Sequence, residues 1–103
     1  MTLQEIKSLL VQAAPDIRHY FSVETDIDYT WWEETEPLPY TADGVHVQGW
    51  VFYVHRFTRQ ENDSVAAALF ALLDADPRIA VSSTQDYEPE TDYTHYIFRC
   101  EAL

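Results

Sequence analysis

The sequence predicts a single α+β domain over residues 1–103: a four-stranded, mainly antiparallel sheet with two helices packed on one face, in the order α-β-β-α-β-β. Three observations predict it. Helix-capping signals near Thr2 and near Asp63 each precede a helix-length apolar segment. Strand-like runs fill residues 27–35, 45–57, 78–87 and 93–102. A content of 47% hydrophobic and 15% aromatic residues belongs to a folded chain rather than a disordered one.

Each element has its own signal. Thr2 and Glu5 form a capping-box pattern, and Leu3, Ile6, Leu9, Leu10 and Ala13 follow at helical spacing until Pro15. Residues 17–23 are a short connector or strand. Residues 27–35 alternate, with Ile27, Tyr29 and Trp31 on one side and Asp28, Thr30 and Trp32 on the other. Glu36-Pro-Leu-Pro-Tyr and Asp43-Gly44 read as loop chemistry. Val45–Phe57 is a long strand, and Asn62, Asp63 or Ser64 caps a helix running to about Leu73. Two further strands, 78–87 and 93–102, flank the turn Glu88-Pro-Glu-Thr-Asp and make a hairpin.

The long strand is the most informative segment. It is apolar on both faces, whereas a strand with one wet face alternates. Something must cover the second face, and a chain of 103 residues has little left to do so. The Ala- and Leu-rich second helix fits an aliphatic surface supplied by Val45, Val47, Gly49, Val51 and Tyr53. Trp32, Trp50, Phe52, Val54 and Ile97 then lie on the opposite face and form a candidate protein interface. The argument holds for either face assignment, because both faces are apolar. Trp31 and Trp32 must point apart. One is core; the other sits at an interface or beneath residues 36–43.

Composition excludes much chemistry. Only Gly44 and Gly49 are present, which excludes a glycine-cradled phosphate loop. Cys100 stands alone, so no internal disulfide framework or cysteine zinc cluster is expected. His46 and His55 point to opposite faces of one strand, and His95 and Cys100 fail the same test, so no metal is expected. Asp86, Glu88, Glu90 and Asp92 lack the glycine turn of a calcium loop and read as a solvated hairpin tip. Glu33 and Glu34 are strand neighbours that point apart, not a hydrolytic carboxylate pair. No catalytic residues, no enzymatic activity and no cofactor are therefore expected. Met1–Pro15 is amphipathic rather than a signal peptide, and no segment approaches the ~20 apolar residues needed to cross a membrane. The net charge of −12 repels nucleic-acid phosphates and anionic membranes.

Several words carry a resemblance: Asp28-Tyr-Thr-Trp-Trp-Glu-Glu, Ala42-Asp-Gly, Gln48-Gly-Trp-Val-Phe-Tyr-Val-His, Glu61-Asn-Asp-Ser and Gln85-Asp-Tyr-Glu-Pro-Glu-Thr-Asp-Tyr-Thr-His-Tyr-Ile-Phe. From the first helix to Ala102 the chain resembles the small tail-completion, or tail-terminator, proteins of long-tailed bacteriophages and prophages. The resemblance implies an α+β structural virion subunit, made in the bacterial cytoplasm and carried in the virion tail. It implies a homo-oligomeric ring, usually a hexamer, at the head–tail interface. Its partners are the tail tube protein and the head connector, and DNA passes through the lumen without specific binding. The chain departs from that pattern in its compactness: residues 34–44 are the one candidate for a tube-docking loop. The rival reading of the same charge is an acidic binding module, such as a nucleic-acid mimic or an inhibitor of a basic host protein.

Overall fold

The computed structural model describes residues 1–42 and 45–103, with side chains described outside 40–48. Helix α1, Leu3–Leu10, starts as the sequence predicts. The Thr2 hydroxyl accepts from the Glu5 N–H at 3.1 Å, and the Glu5 carboxylate accepts from the Thr2 N–H at 3.0 Å. Ile6 and Leu10, four residues apart on one face, are fully buried. Helix α2, Ser64–Ala75, is capped by Asp63, whose carboxylate accepts from the Ala66 N–H at 2.9 Å. It buries Ala66, Leu69 and Leu73.

The sheet has five strands rather than the expected four, in the order β1-β2-β3-β5-β4. They are β1 (Arg18–His19), β2 (Tyr29–Ala42), β3 (Val45–Thr58), β4 (Ile79–Glu88) and β5 (Tyr93–Ala102). The extra strand β1 is a two-residue piece that pairs parallel with Trp31 and Trp32; every other pairing is antiparallel. So short a strand leaves no periodic trace in a sequence.

A second correction concerns residues 36–42, which continue β2 rather than forming a loop. A bulge between Glu34 and Glu36 explains how two prolines are tolerated there. The Tyr20 N–H donates to the Trp32 carbonyl at 2.7 Å, so the Trp32 backbone faces away from β3. Alternation turns residues 31 and 33 toward β3. The bulge shifts the phase, so 36, 38, 40 and 42 face β3 while the nitrogens of Pro37 and Pro39 point outward. Neither proline removes a donor that the pairing needs. β5 reaches only as far as Trp50 along β3, so beyond it β2 and β3 run on as a two-stranded ribbon. The domain is accordingly long, 51 × 23 × 22 Å.

The register sets the two faces. Trp32, Val54 and Phe98 lie across one row, Phe52, Cys100 and Val81 across the next, and Trp50, Ala102 and Ile79 across a third. These rows pack under α1 and α2 and form the main core. The second face carries Tyr29, Trp31, Phe57 and Tyr93 as a separate aromatic cluster.

Candidate interaction surfaces

The expected interface residues do not share an exposed face. Trp32, Phe52 and Val54 are buried under the helices, at 1%, 0% and 0% exposure. Trp50 is half-buried against the same core. Ile97 lies on the opposite face, in the row of Trp31 and His55. The reason is strand phase: the even-numbered residues of β3 face the helices, so the face assignment reverses. The tryptophan alternation holds. Trp32 belongs to the main core and Trp31 to the second cluster, so the two indoles are buried on opposite sides of β2. Trp31 is covered by the connector, with Phe21 edge-on to its indole at 5.4 Å; of residues 36–43, the side chains of 40–42 and all of Asp43 lie outside the described residues.

That connector, residues 20–28, is pinned at its far end. The Tyr93 hydroxyl donates to the Ile27 carbonyl at 2.7 Å, and the Arg59 guanidinium donates to the Thr25 carbonyl at 2.9 Å while stacking on the Tyr93 ring. The Thr58 hydroxyl donates to Asp28 at 2.7 Å. At its near end the Tyr20 hydroxyl and the His19 ring both meet the Glu34 carboxylate, at 2.5 and 2.6 Å. Burial pushes the Glu34 carboxyl up, and these hydrogen bonds outweigh it and hold it below the ordinary value. Between its anchors the connector presents apolar side chains to solvent. Tyr20, Phe21, Val23 and Ile27 are 54%, 75%, 61% and 56% exposed. The sequence predicts a short connector or strand over 17–23 and a strand from Ile27, whereas β2 begins at Tyr29 and Ile27 belongs to this exposed stretch. The signal was four large apolar residues interrupted only by short polar or acidic ones, with no helical or strand period.

The second face also holds a hydrogen-bonded chain that reading each strand by itself could not reveal. Glu33 meets His55 Nε2 at 3.1 Å, and His55 Nδ1 meets His95 Nε2 at 2.8 Å. One tautomer set satisfies it: His55 donates from Nε2 to Glu33 and accepts at Nδ1 from His95. Both imidazoles are neutral in that arrangement, and adding a proton at His55 Nδ1 would set two donors against each other. Burial pushes the His55 pKa down to about 4. His95 is lowered by burial and by His55, against the opposing pull of Glu88 and Asp86. His55 stacks on Trp31 and His95 on Phe57, both at 4.0 Å.

A cleft of about 480 Å³ opens between the α1 exit, the connector and β2, with Arg56 on its wall. The Arg56 guanidinium is committed: Nε and Nη2 donate to Asp63 at 2.9 and 3.1 Å, and Nη1 donates to Thr30 at 3.2 Å. Burial raises Asp63, and the hydrogen bonds from Arg56 and the Ala66 N–H more than reverse it. The cleft therefore holds a structural ion pair. Cys100 is buried and its thiol is pushed up to about 12, so it is a packing residue rather than a nucleophile. Among the described residues no cluster of His, Cys, Asp or Glu is arranged to hold a metal. Among the described residues no helix is long and apolar enough to cross a membrane.

This geometry defines an α+β sheet-and-helix domain with a projecting ribbon and an exposed apolar strap. No protein-family model matches the chain, and no curated protein matches it. Among solved structures, a chain from the virion of a native gene transfer agent particle shares the fold. It superimposes with a TM-score of 0.54 at 10% sequence identity, over 96% of this chain and 87% of that one.

Proposed function

We propose that this protein is a structural virion subunit: a ring-forming tail-completion protein at the head–tail interface of a long-tailed phage or prophage. The observation that carries this reading is the end-to-end fold similarity to a chain of an assembled, phage-like virion. The motifs that resemble tail-completion proteins point the same way. Two surfaces suit a subunit that works packed among others. The strap of Tyr20, Phe21, Val23 and Ile27 offers apolar area for a neighbour, and the β2–β3 ribbon projects far enough to reach the tail tube protein or the head connector. The net charge of −12 suits a lumen through which DNA slides without adhering. In this reading the protein has no catalytic role and needs no cofactor.

The test is assembly. Val23→Glu alters an exposed side chain and should leave the melting temperature nearly unchanged, whereas Phe21→Glu also removes the ring that lies edge-on to Trp31, so its melt is compared with that of the wild type. Wild-type protein mixed with its tail tube protein should give capped tubes of uniform length by negative-stain electron microscopy, and the variants should give uncapped tubes. Wild-type protein that forms no ring, alone or with the tube, would sink the proposal. Tight binding of the chain to a basic nucleic-acid-binding protein would favour the acidic-mimic reading instead.

A further inference from the structure

The exposed apolar side chains of the strap come with charge of one sign. Phe21, Val23 and Ile27 are more than half exposed, and the charged residues threaded among them, Glu24, Asp26 and Asp28, are all acidic. The strap also leans against the β4–β5 turn, Glu88-Pro-Glu-Thr-Asp. Arg59 ties the two together, donating to the Thr25 and Thr91 carbonyls, both at 2.9 Å. Two acidic segments therefore meet at one end of the domain. Tyr29, at the foot of the strap, feels that field. Burial raises its pKa, and the charges of Glu88 and Glu24 add to the rise against a hydrogen bond to the Glu24 backbone.

The nearby cations do not cancel this charge. Residues 24–28 and 86–92 hold seven carboxylates, and Arg18 and Arg59 stand against them. Arg18 comes no nearer to Glu24 than 3.8 Å, and Arg59 faces inward onto the two carbonyls and the Tyr93 ring. The cleft of about 480 Å³ opens against the same strap. Ile17 and Ile27 give it apolar lining, and Asp16 and Glu24 give it negative charge. The Arg56 in its wall is neutralised by Asp63 at 2.9 Å.

We propose that the strap and this cleft dock a basic segment of a different protein. Apolar side chains of that segment pack on Phe21 and Val23. A Lys or Arg runs its aliphatic stem along Ile17 and Ile27 and brings its charge to Glu24 and Asp16. Charge selects this occupant. A second copy would bring the same carboxylates to the same rim, with −12 on each chain. Nucleic acid and anionic membranes are repelled for the same reason. A neutral apolar partner would strip water from Glu24 and Asp26 and offer no hydrogen bonds in return. A cationic partner turns those carboxylates into ion pairs at the rim of an apolar centre. The inference deepens the virion reading by giving the chemistry of the partner at the strap, and it rests on that reading only in taking the strap for an interface.

An NMR titration of the isotope-labelled full chain with a short synthetic peptide of alternating Leu and Lys tests it. The amides of residues 16–18 and 20–28 should shift, and the Kd should rise at least about tenfold as salt goes from about 0.05 to 0.5 M. A peptide of alternating Ser and Lys should bind at least about tenfold more weakly, because it has no apolar side chains to bury. Glu24→Gln combined with Asp26→Asn should weaken binding about threefold or more. Asp74→Asn combined with Glu101→Gln removes the same charge at the other end of the domain and should leave the Kd unchanged. The amide spectrum of each variant checks its folding. Absence of binding at about 1 mM peptide overturns the proposal, as do shifts that spare the strap. So does a Ser–Lys peptide that binds as well, an equal loss in both double variants, or self-association of the chain that blocks the peptide. Peptide binding by a chain that forms no ring leaves this inference standing and removes the virion reading. Rings from a chain that ignores the peptide remove this inference alone.

Discussion

At the scale of the residue, two positions matter more than their size suggests. Gly49 sits where the end of β5 crosses against β3: a Cβ there would collide with the Ala102 carbonyl oxygen, which is backbone and cannot swing aside. Gly49→Ala should therefore cost about 1–3 kcal/mol, read as a lowered urea midpoint. An unchanged midpoint would mean that the β5 terminus is free to move away. His55 makes stability depend on pH. Its folded pKa of about 4 lies below the unfolded value of 6.5, so the unfolded chain binds protons first as pH falls. Its contribution is complete above 6.5 and is lost progressively down to about 4. One pKa unit is 1.36 kcal/mol, so the loss across that window reaches about 3 kcal/mol. Glu34 and Asp63, among the carboxylates lowered by hydrogen bonds, begin to lose their contributions as pH falls through their ordinary values of 4.5 and 3.8. The ionisable groups around the histidine pair are Glu33 on β2, Tyr53 on β3, Asp86 and Glu88 on β4, and Arg99 on β5. Urea midpoints at pH 7.5 and 4.5 should differ clearly in the wild type and much less in His55→Phe, which keeps an aromatic ring over Trp31. Equal pH dependence in both would remove His55 as the cause.

At the scale of the element, Asp63 serves two structures at once. It caps α2 and pairs with the buried Arg56. Asp63→Ala should cost about 3–5 kcal/mol, because the buried guanidinium loses both hydrogen bonds to a carboxylate and keeps only Thr30 and a longer contact to Asp28 at 3.7 Å. Asp63→Asn keeps the cap and should cost less than Asp63→Ala but still destabilise; an Asp63→Asn that melts like the wild type would assign the loss to the cap alone. Both helices were legible in the sequence because capping is local: Thr2 with Glu5 and Asp63 with Ala66 lie three residues apart. The β4–β5 hairpin was legible for the same reason, with its turn at Glu88–Asp92. The extent of β2 was not. Pro37 and Pro39 read as loop until the bulge at Glu34–Glu36 turns their nitrogens outward, and a bulge is a property of the paired strands. The candidate interface failed on the same ground. Trp32, Trp50, Phe52 and Val54 do share a face, but only α1 and α2 lying across them decide that this face is the core. The Glu33–His55–His95 chain joins three strands, so no spacing within one strand could announce it.

At the scale of the whole molecule, the domain divides into a body that needs its contacts and a ribbon that does not. α1, α2 and the rows from Trp32 to Ile79 bury the main core, whereas from Pro39↔Gln48 outward the described strand pairing is between β2 and β3 alone. A two-stranded ribbon of that kind is marginal in water and contributes little to the stability of the body. Its length is therefore better explained by what it reaches. Replacing residues 39–48 by Asn-Gly closes a two-residue turn on the hydrogen-bonded pair Leu38↔Gly49. The shortened chain should melt within about 5 °C of the parent, since a change near 1 kcal/mol shifts a domain of this size by that much. In the proposed assembly the same chain should lose its grip on the tail tube, read as uncapped tubes by electron microscopy. A shortened chain that still caps tubes would assign the contact to the strap at Phe21 and Val23 alone. A shortened chain that unfolds would mean that the ribbon is part of the core, and the division drawn from β5 ending at Trp50 would fall with it.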